Sequence, residues 1–215
     1  MGKIVLATII ISGSAKWLLK VGGNKEKWYG SDRIFMYVMT VFGAMTVNYS
    51  EQCTEYGWVV SNLRLLAGCL LAGGLLSAAY MDRRNCWVYN YVWWWCLPWA
   101  GILGLTADGD FSGIVAVLVF VMLQQLLFSR MYGKADCHAF SVCALAECGN
   151  AVGMVGFLLQ MFLSVVLLTI VQLFRGNVTP RGRLREPQPF IPYIITAFFF
   201  VTFFESVFRI THIYA

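Results

Sequence analysis

The feature that most constrains this chain is its succession of apolar runs, several of which approach or exceed the roughly 20 residues that span a bilayer as a helix. One run, FSGIVAVLVFVMLQQLLF at residues 111–128, carries no charge. It also lacks the alternation of polar and apolar residues that a membrane β-strand shows. In lipid the backbone must satisfy its own hydrogen bonds, which favours helices. We therefore expect an all-α, polytopic protein that lies in a lipid bilayer.

The composition agrees with this expectation. Of the 215 residues, 59% are hydrophobic and 13% are charged, and a soluble domain of this size would need more polar surface. A net charge of +5 would suggest nucleic acid in a soluble protein. Here Lys and Arg cluster beside apolar runs, as topology signals do, so no nucleic-acid partner is expected. The first run lacks a convincing small-residue cleavage site and is interpreted as a retained helix.

Hydropathy divides the chain into eight membrane segments, which we interpret as a single integral membrane domain covering residues 1–215. The sixth segment is short and is expected to be a half-length or tilted helix. Small residues at 68 and 72–74 predict close packing of the third segment against its neighbours. The predicted segments are 4–20, 33–48, 58–81, 86–106, 111–132, 136–147, 151–174 and 190–211.

Basic and acidic loops alternate between these segments. The loops after the first, third, fifth and seventh segments are rich in Lys and Arg, and the loops between them carry acids such as Glu51 and Asp108. By the positive-inside rule the basic loops are cytoplasmic, so both chain ends are expected outside. The predicted location is the cell membrane, with several passes.

Two acids lie at ends of these segments. Asp82 ends the third segment and Asp136 opens the sixth, 54 positions later, so the topology places both at the cytoplasmic face. Carboxyls at a membrane are costly unless paired or wetted, and are functional candidates by default. Two carboxyls brought close cannot both ionise easily and share a proton. One could then take a proton from water while the other polarises a peptide carbonyl, with no metal or cofactor required.

A structural interpretation of the same acids remains open. Asp82 precedes Arg83 and Arg84 and could be a helix cap in a solvated ion-pair cluster. Asp136 follows Gly-Lys-Ala, where an acid at a helix N-terminus is favoured by the helix dipole.

The residues around both acids resemble the type IV prepilin peptidase family, which includes the archaeal preflagellin peptidases. These are membrane aspartic proteases of the GxGD class. The family's first motif is an aspartate followed, after about six residues, by an Ile-Pro-Asn-like step. Asp82 and Val88-Tyr89-Asn90 match it, with Tyr in place of Pro. The second motif, Gly-x-Gly-Asp-x-Lys, is similar to GKADCH at residues 133–138.

A third feature of the family is a basic loop that leads to a Pro-Phe-x-Pro step, supplied here by Pro189, Phe190 and Pro192. The resemblance covers roughly residues 70–205. It implies that Asp82 and Asp136 are catalytic and that Gly133 and Ala135 shape the backbone around the second aspartate. Ala135 replaces a glycine and His138 replaces a lysine of the family pattern. The supporting residues that the resemblance implies are Gly133, Ala135, Asn90, His138, Pro189 and Pro192.

The resemblance implies a prepilin-like or pseudopilin-like precursor as the partner, cleaved after a short basic leader at the cytoplasmic face. The loop after the first segment lacks the cysteine pairs of the family's dual-activity members, so the resemblance supports proteolysis but not the accompanying N-methylation. The alternative is a non-catalytic, degenerate relative that acts as an assembly factor or a small transporter. A transporter would more naturally place polar groups near the bilayer midplane, often in inverted repeats. The sequence predicts no oligomeric state.

Overall fold

The computed structural model describes residues 2–23, 30–52, 57–106, 111–127, 133–148, 153–175 and 188–213. These ranges form eight α-helices and contain no strand, which confirms the predicted all-α class. In chain order the helices are α1 (Gly2–Val21), α2 (Gly30–Gln52), α3 (Trp58–Asn85), α4 (Asn90–Leu105), α5 (Phe111–Leu126), α6 (Lys134–Glu147), α7 (Gly153–Phe174) and α8 (Ile191–Ile213).

Four helices, α1, α3, α7 and α8, are long and apolar enough to cross a membrane by length and composition, and α5 is a shorter apolar helix. Large apolar side chains on the outside of α7, such as Val155, Phe162 and Leu173, are exposed, as expected of a face in contact with lipid. Of the other helices, α4 and α6 have only 16 and 14 residues, and α2 has an acid in its first turn. The chain is therefore a helical membrane protein.

The observed bounds differ from the predicted ones at three places that matter for the site. Helix α3 continues to Asn85, so Asp82 lies inside its last turns instead of just beyond it. The chain then reverses at Cys86, which has a left-handed backbone (φ 50, ψ 33) and donates its N–H to the Asp82 carbonyl at 2.8 Å. Helix α4 begins only at Asn90. Helix α6 begins two residues earlier than predicted, so Asp136 lies in its first turn.

Helix α3 is the centre of the first half of the bundle, packing against α1, α2, α4 and α8. In its most apolar window 61% of the residues are buried, against 22% for α7. Glycines make this packing possible, because a Cβ on Gly73 would overlap Ser14 of α1 and a Cβ on Gly74 would overlap Cys96 of α4. The prediction that small residues bring this segment close to its neighbours is confirmed.

Helix α6 is the inner helix of the second half, packed against α4, α5, α7 and α8. Its 14 residues extend about 21 Å, well short of the roughly 30 Å apolar layer of a bilayer, as predicted for the sixth segment. Helices α6 and α8 run parallel. The ring of Phe140, midway along α6, is 5.8 Å from the ring of Phe190, just before α8. Further along, the Thr202 hydroxyl donates to Glu147 Oε1 at 3.0 Å. The starts of α6 and α8 therefore lie at the same end of the bundle.

Candidate functional site

Asp82 is held between the end of α3 and the start of α8. Its side chain is 6% exposed, and its Oδ2 accepts a 3.0 Å hydrogen bond from the N–H of Ile191, 109 residues away. The N–H of Phe190 is also directed at this carboxyl. Ile191 is the first residue of α8, and the first N–H groups of a helix have no partner within the helix. Asp82 thus supplies the cap for α8.

The two arginines after Asp82 bind a different acid. Arg83 Nε lies 2.7 Å from Asp32 Oδ1, and Arg84 Nε lies 3.6 Å from Asp32 Oδ2. Asp32 lies in the first turn of α2. An ion-pair cluster therefore forms next to Asp82, as the structural interpretation predicted, but among the described residues its acid is Asp32.

Asp136 lies in the first turn of α6 and is half-buried. Its carboxyl turns back towards the N-cap residue Gly133, whose N–H is directed at it. A Cβ on Gly133 would stand only 3.1 Å from Asp136 Oδ2. An acid at this position that reaches back to the N-cap N–H is the arrangement of a capping box. Asp136 therefore stabilises the start of α6 and keeps part of its surface accessible.

The structure brings these two aspartates together. The Asp136 carboxyl lies within electrostatic range of Asp82, and both residues lie beside the start of α8. Helix α8 forms the third side of the site, because Phe190 packs on Phe140, one turn along α6 from Asp136. We call Asp82 and Asp136 the aspartate pair. It is built from the end of α3 and the start of α6, with the start of α8 against both.

Ala135 fits its position without strain. It lies within α6 and packs against the hydrophobic core. Among the described residues a positive φ occurs only at Cys86 and Gly23, so the backbone before Asp136 is not in a conformation that favours glycine. The alanine that departs from the family pattern is compatible with this helix start.

The Pro189–Pro192 step fixes where α8 begins. Pro189 is half-buried just before the helix, and Pro192 is buried as its second residue. A proline in the first turn of a helix costs little, since the N–H that it lacks would have no intrahelical partner there. The Pro189–Pro192 step therefore positions the Ile191 N–H to donate to Asp82.

The remaining predicted residues, Asn90 and His138, lie on α4 and α6. Asn90 is exposed at the first position of α4. His138 is two residues from Asp136 on α6, about 200° around the helix. It contacts α4 and α5, because its Nδ1 is 3.4 Å from Gln125 Nε2 and its ring is 6.0 Å from that of Trp93. His138 thus links α6 to α4 and α5 on the face of α6 that is turned away from Asp136.

Sequence reasoning missed Asp32 and the backbone N–H groups of α8. A signal for Asp32 was present, since an acid at the start of α2 lies on the same side of the predicted topology as Arg83 and Arg84. The bond from Ile191 had no such signal, because it depends on how α8 docks.

Gly133→Ala should lower the Tm by about 2–4 °C, since the added methyl presses on Asp136 Oδ2 and displaces the carboxyl that caps the start of α6. The measurement is thermal unfolding of the purified variant in detergent. Gly57→Ala is the matched control, because Gly57 is also an N-cap with nearly the same backbone angles and no described atom lies within 4 Å of its added Cβ. Equal Tm values for the two variants would contradict the prediction.

Within the described ranges, no group of three or more His, Cys, Asp or Glu side chains is placed to hold a metal ion. Comparisons of the chain with models of known protein families, with curated proteins and with solved structures found no match. The resemblance to prepilin peptidases therefore depends on the local sequence motifs alone.

Proposed function

We propose that this protein is a membrane-embedded aspartic endopeptidase that removes the leader peptide of a prepilin-like or pseudopilin-like precursor. The observation that supports it most is that Asp82 and Asp136, 54 positions apart in the sequence, lie at the same end of the bundle beside the start of α8. Neighbouring carboxyls in a partly buried site share a proton. Such a pair provides a base and an acid at the same place.

In the proposed reaction, the ionised carboxyl takes a proton from a water molecule, whose oxygen attacks the carbonyl carbon of the scissile peptide bond. The protonated carboxyl donates its proton to the carbonyl oxygen, which gives a neutral tetrahedral intermediate. As the C–N bond breaks, a proton moves to the leaving amine and the second hydroxyl proton returns to the pair. The pair acts as one titrating unit, so neither aspartate is assigned a fixed role.

The charges at this end of the bundle support a cytoplasmic orientation for the site. Arg83 and Arg84 end α3, and Lys134 begins α6. The end of α1, which carries Lys20 in its last turn, lies at the same end because the Tyr91 hydroxyl donates to the Leu18 carbonyl at 2.9 Å. Basic residues flanking membrane helices favour the cytoplasmic side. A basic leader followed by an apolar helix would present its boundary at this level.

A non-catalytic role, as an assembly factor or small transporter, is the second candidate function. The observation in its favour is that both aspartates already stabilise helix starts, Asp82 that of α8 and Asp136 that of α6. Carboxyls with these roles would be retained in a chain that had lost peptidase activity.

The test is co-expression with a precursor that has a short basic leader, a glycine and then an apolar helix. The wild-type chain should convert the precursor to the shorter form. Asp136→Asn should leave it uncut, as should the matching change at Asp82, because losing a general acid–base group costs about 10²–10⁴-fold in rate. Glu205→Gln on α8 is the control and should cleave normally. Processing that survives both aspartate substitutions would rule out the proposed mechanism and favour the non-catalytic role.

A further inference from the structure

A second carboxyl, Glu147, lies at the other end of α6. It is 2% exposed, and its Oε1 accepts the hydrogen bond from Thr202 of α8. Its Oε2 is fully buried and has no hydrogen-bond partner within the described part of the chain. A buried carboxyl oxygen without a partner is costly, and ionisable groups inside a membrane bundle are functional candidates by default. One Glu147 oxygen therefore needs a partner that no described side chain supplies.

Gln160 of α7 is a second buried side chain whose polar atoms lack partners in the described ranges. Its side chain is 0% exposed, and neither its Oε1 nor its Nε2 has a hydrogen-bond partner among the described residues. The Cys143 thiol, one turn before Glu147 on α6, lies beside the Gln160 amide. The buried Glu147 Oε2 and Gln160 Oε1 thus come from two helices that pack together.

We propose that Glu147, Cys143, Gln160 and Thr202 form a site that binds water inside the bundle, which we call the Glu147 site. A water molecule can donate two hydrogen bonds and accept two, so it can serve both kinds of group at once. Buried waters in proteins occupy polar sites of this kind and make about three hydrogen bonds each.

The Glu147 site is separate from the aspartate pair. Eleven residues separate Asp136 from Glu147 on α6, which corresponds to about 16 Å along the helix. Its existence does not depend on the proposed peptidase activity.

Gln160→Leu distinguishes a wet site from a dry one by the sign of its effect. If the site were dry, leucine of similar size would remove two buried polar atoms without partners, and the Tm would rise. If water is bound, the substitution removes a partner of that water and places an apolar side chain against it. We expect the Tm of the purified protein in detergent to fall by about 3 °C or more.

The matched control is Ser164→Ala, one turn further along α7. Ser164 is also 0% exposed, but its hydroxyl is already satisfied by the Met161 carbonyl at 2.7 Å. Its Tm should fall less than that of Gln160→Leu. A Tm for Gln160→Leu at or above the wild-type value overturns the proposal. So does a wild-type Tm that rises with sodium chloride but not with choline chloride, since that result indicates a cation site.

Radiolytic footprinting tests the same proposal on the unmodified protein. Millisecond X-ray exposure generates hydroxyl radicals from bound water, and mass spectrometry then measures oxidation of each cysteine. Cys143 and Cys69 are both 0% exposed, but only Cys143 lies in the Glu147 site. Oxidation of Cys143 well above that of Cys69 is the expected result. Equal protection of the two thiols would show that the site is dry.

Discussion

Asp82→Asn should slow cleavage strongly while leaving the fold intact, whereas Asp82→Ala should reduce both cleavage and stability. The asparagine Oδ1 can still accept the Ile191 N–H bond, so the start of α8 stays capped, but an amide cannot act as a carboxyl acid–base group. Alanine leaves the buried N–H of Ile191 without its acceptor, at a cost of about 1–3 kcal/mol. We expect at least about 10²-fold slower cleavage in both variants, and a Tm lowered by several degrees only in Asp82→Ala.

Precursor turnover and thermal unfolding in the same detergent separate the two roles of this carboxyl. If Asp82→Asn cleaves at the wild-type rate, Asp82 is a structural cap and the peptidase proposal fails. If Asp82→Asn instead loses as much stability as Asp82→Ala, the charge of the carboxylate is needed to hold α8, and loss of activity alone would not identify a catalytic group.

Gly73→Leu should prevent normal assembly of the bundle. Even a single Cβ at this position would overlap Ser14 and stand 2.9 Å from the Ile11 carbonyl of α1. That carbonyl is part of the helix backbone, so the clash is relieved only by moving α1 away from α3. Overpacking of a tight core costs about 1–3 kcal/mol and more where the backbone must shift. The expected result is little monodisperse protein on size exclusion and a strongly lowered Tm.

Gly13→Leu is the control for this change, since it adds the same side chain to a glycine on α1. Gly13 is exposed and has no atom within 4 Å of its added Cβ, so we expect wild-type behaviour. A folded Gly73→Leu protein with an unchanged Tm would mean that α1 does not pack on α3 as described.

The helices were predictable because apolar length and helical backbone satisfaction are properties of local sequence. The ends of the helices were less predictable. The apolar run stops at Met81, yet α3 continues through Arg83 and Arg84, which favour helix and are held by Asp32 of α2. A hydropathy profile ends the segment at these arginines because they are charged. In the structure their ion pairs with Asp32 and their stacking on aromatic rings keep them helical.

The aspartate pair was predictable as a candidate because its members fall at the same side of an alternating charge pattern. How the two aspartates are held in place was not predictable, because it depends on docking between distant segments. The contact from Asp82 to Ile191 spans 109 residues, and nothing local to either residue specifies the other. Likewise the position of His138 beside Gln125 follows from the packing of α5 on α6, which a motif cannot encode.

The parallel docking of α6 and α8 limits how the chain can vary in length. Ile191 and Thr202 are separated by eleven residues, as are Asp136 and Glu147. Inserting or deleting one residue within either stretch would rotate one end of that helix by 100° relative to the other. The cap at Asp82 and the hydroxyl contact at Glu147 could then not be kept together. Insertions and deletions in related chains should therefore fall outside these two stretches.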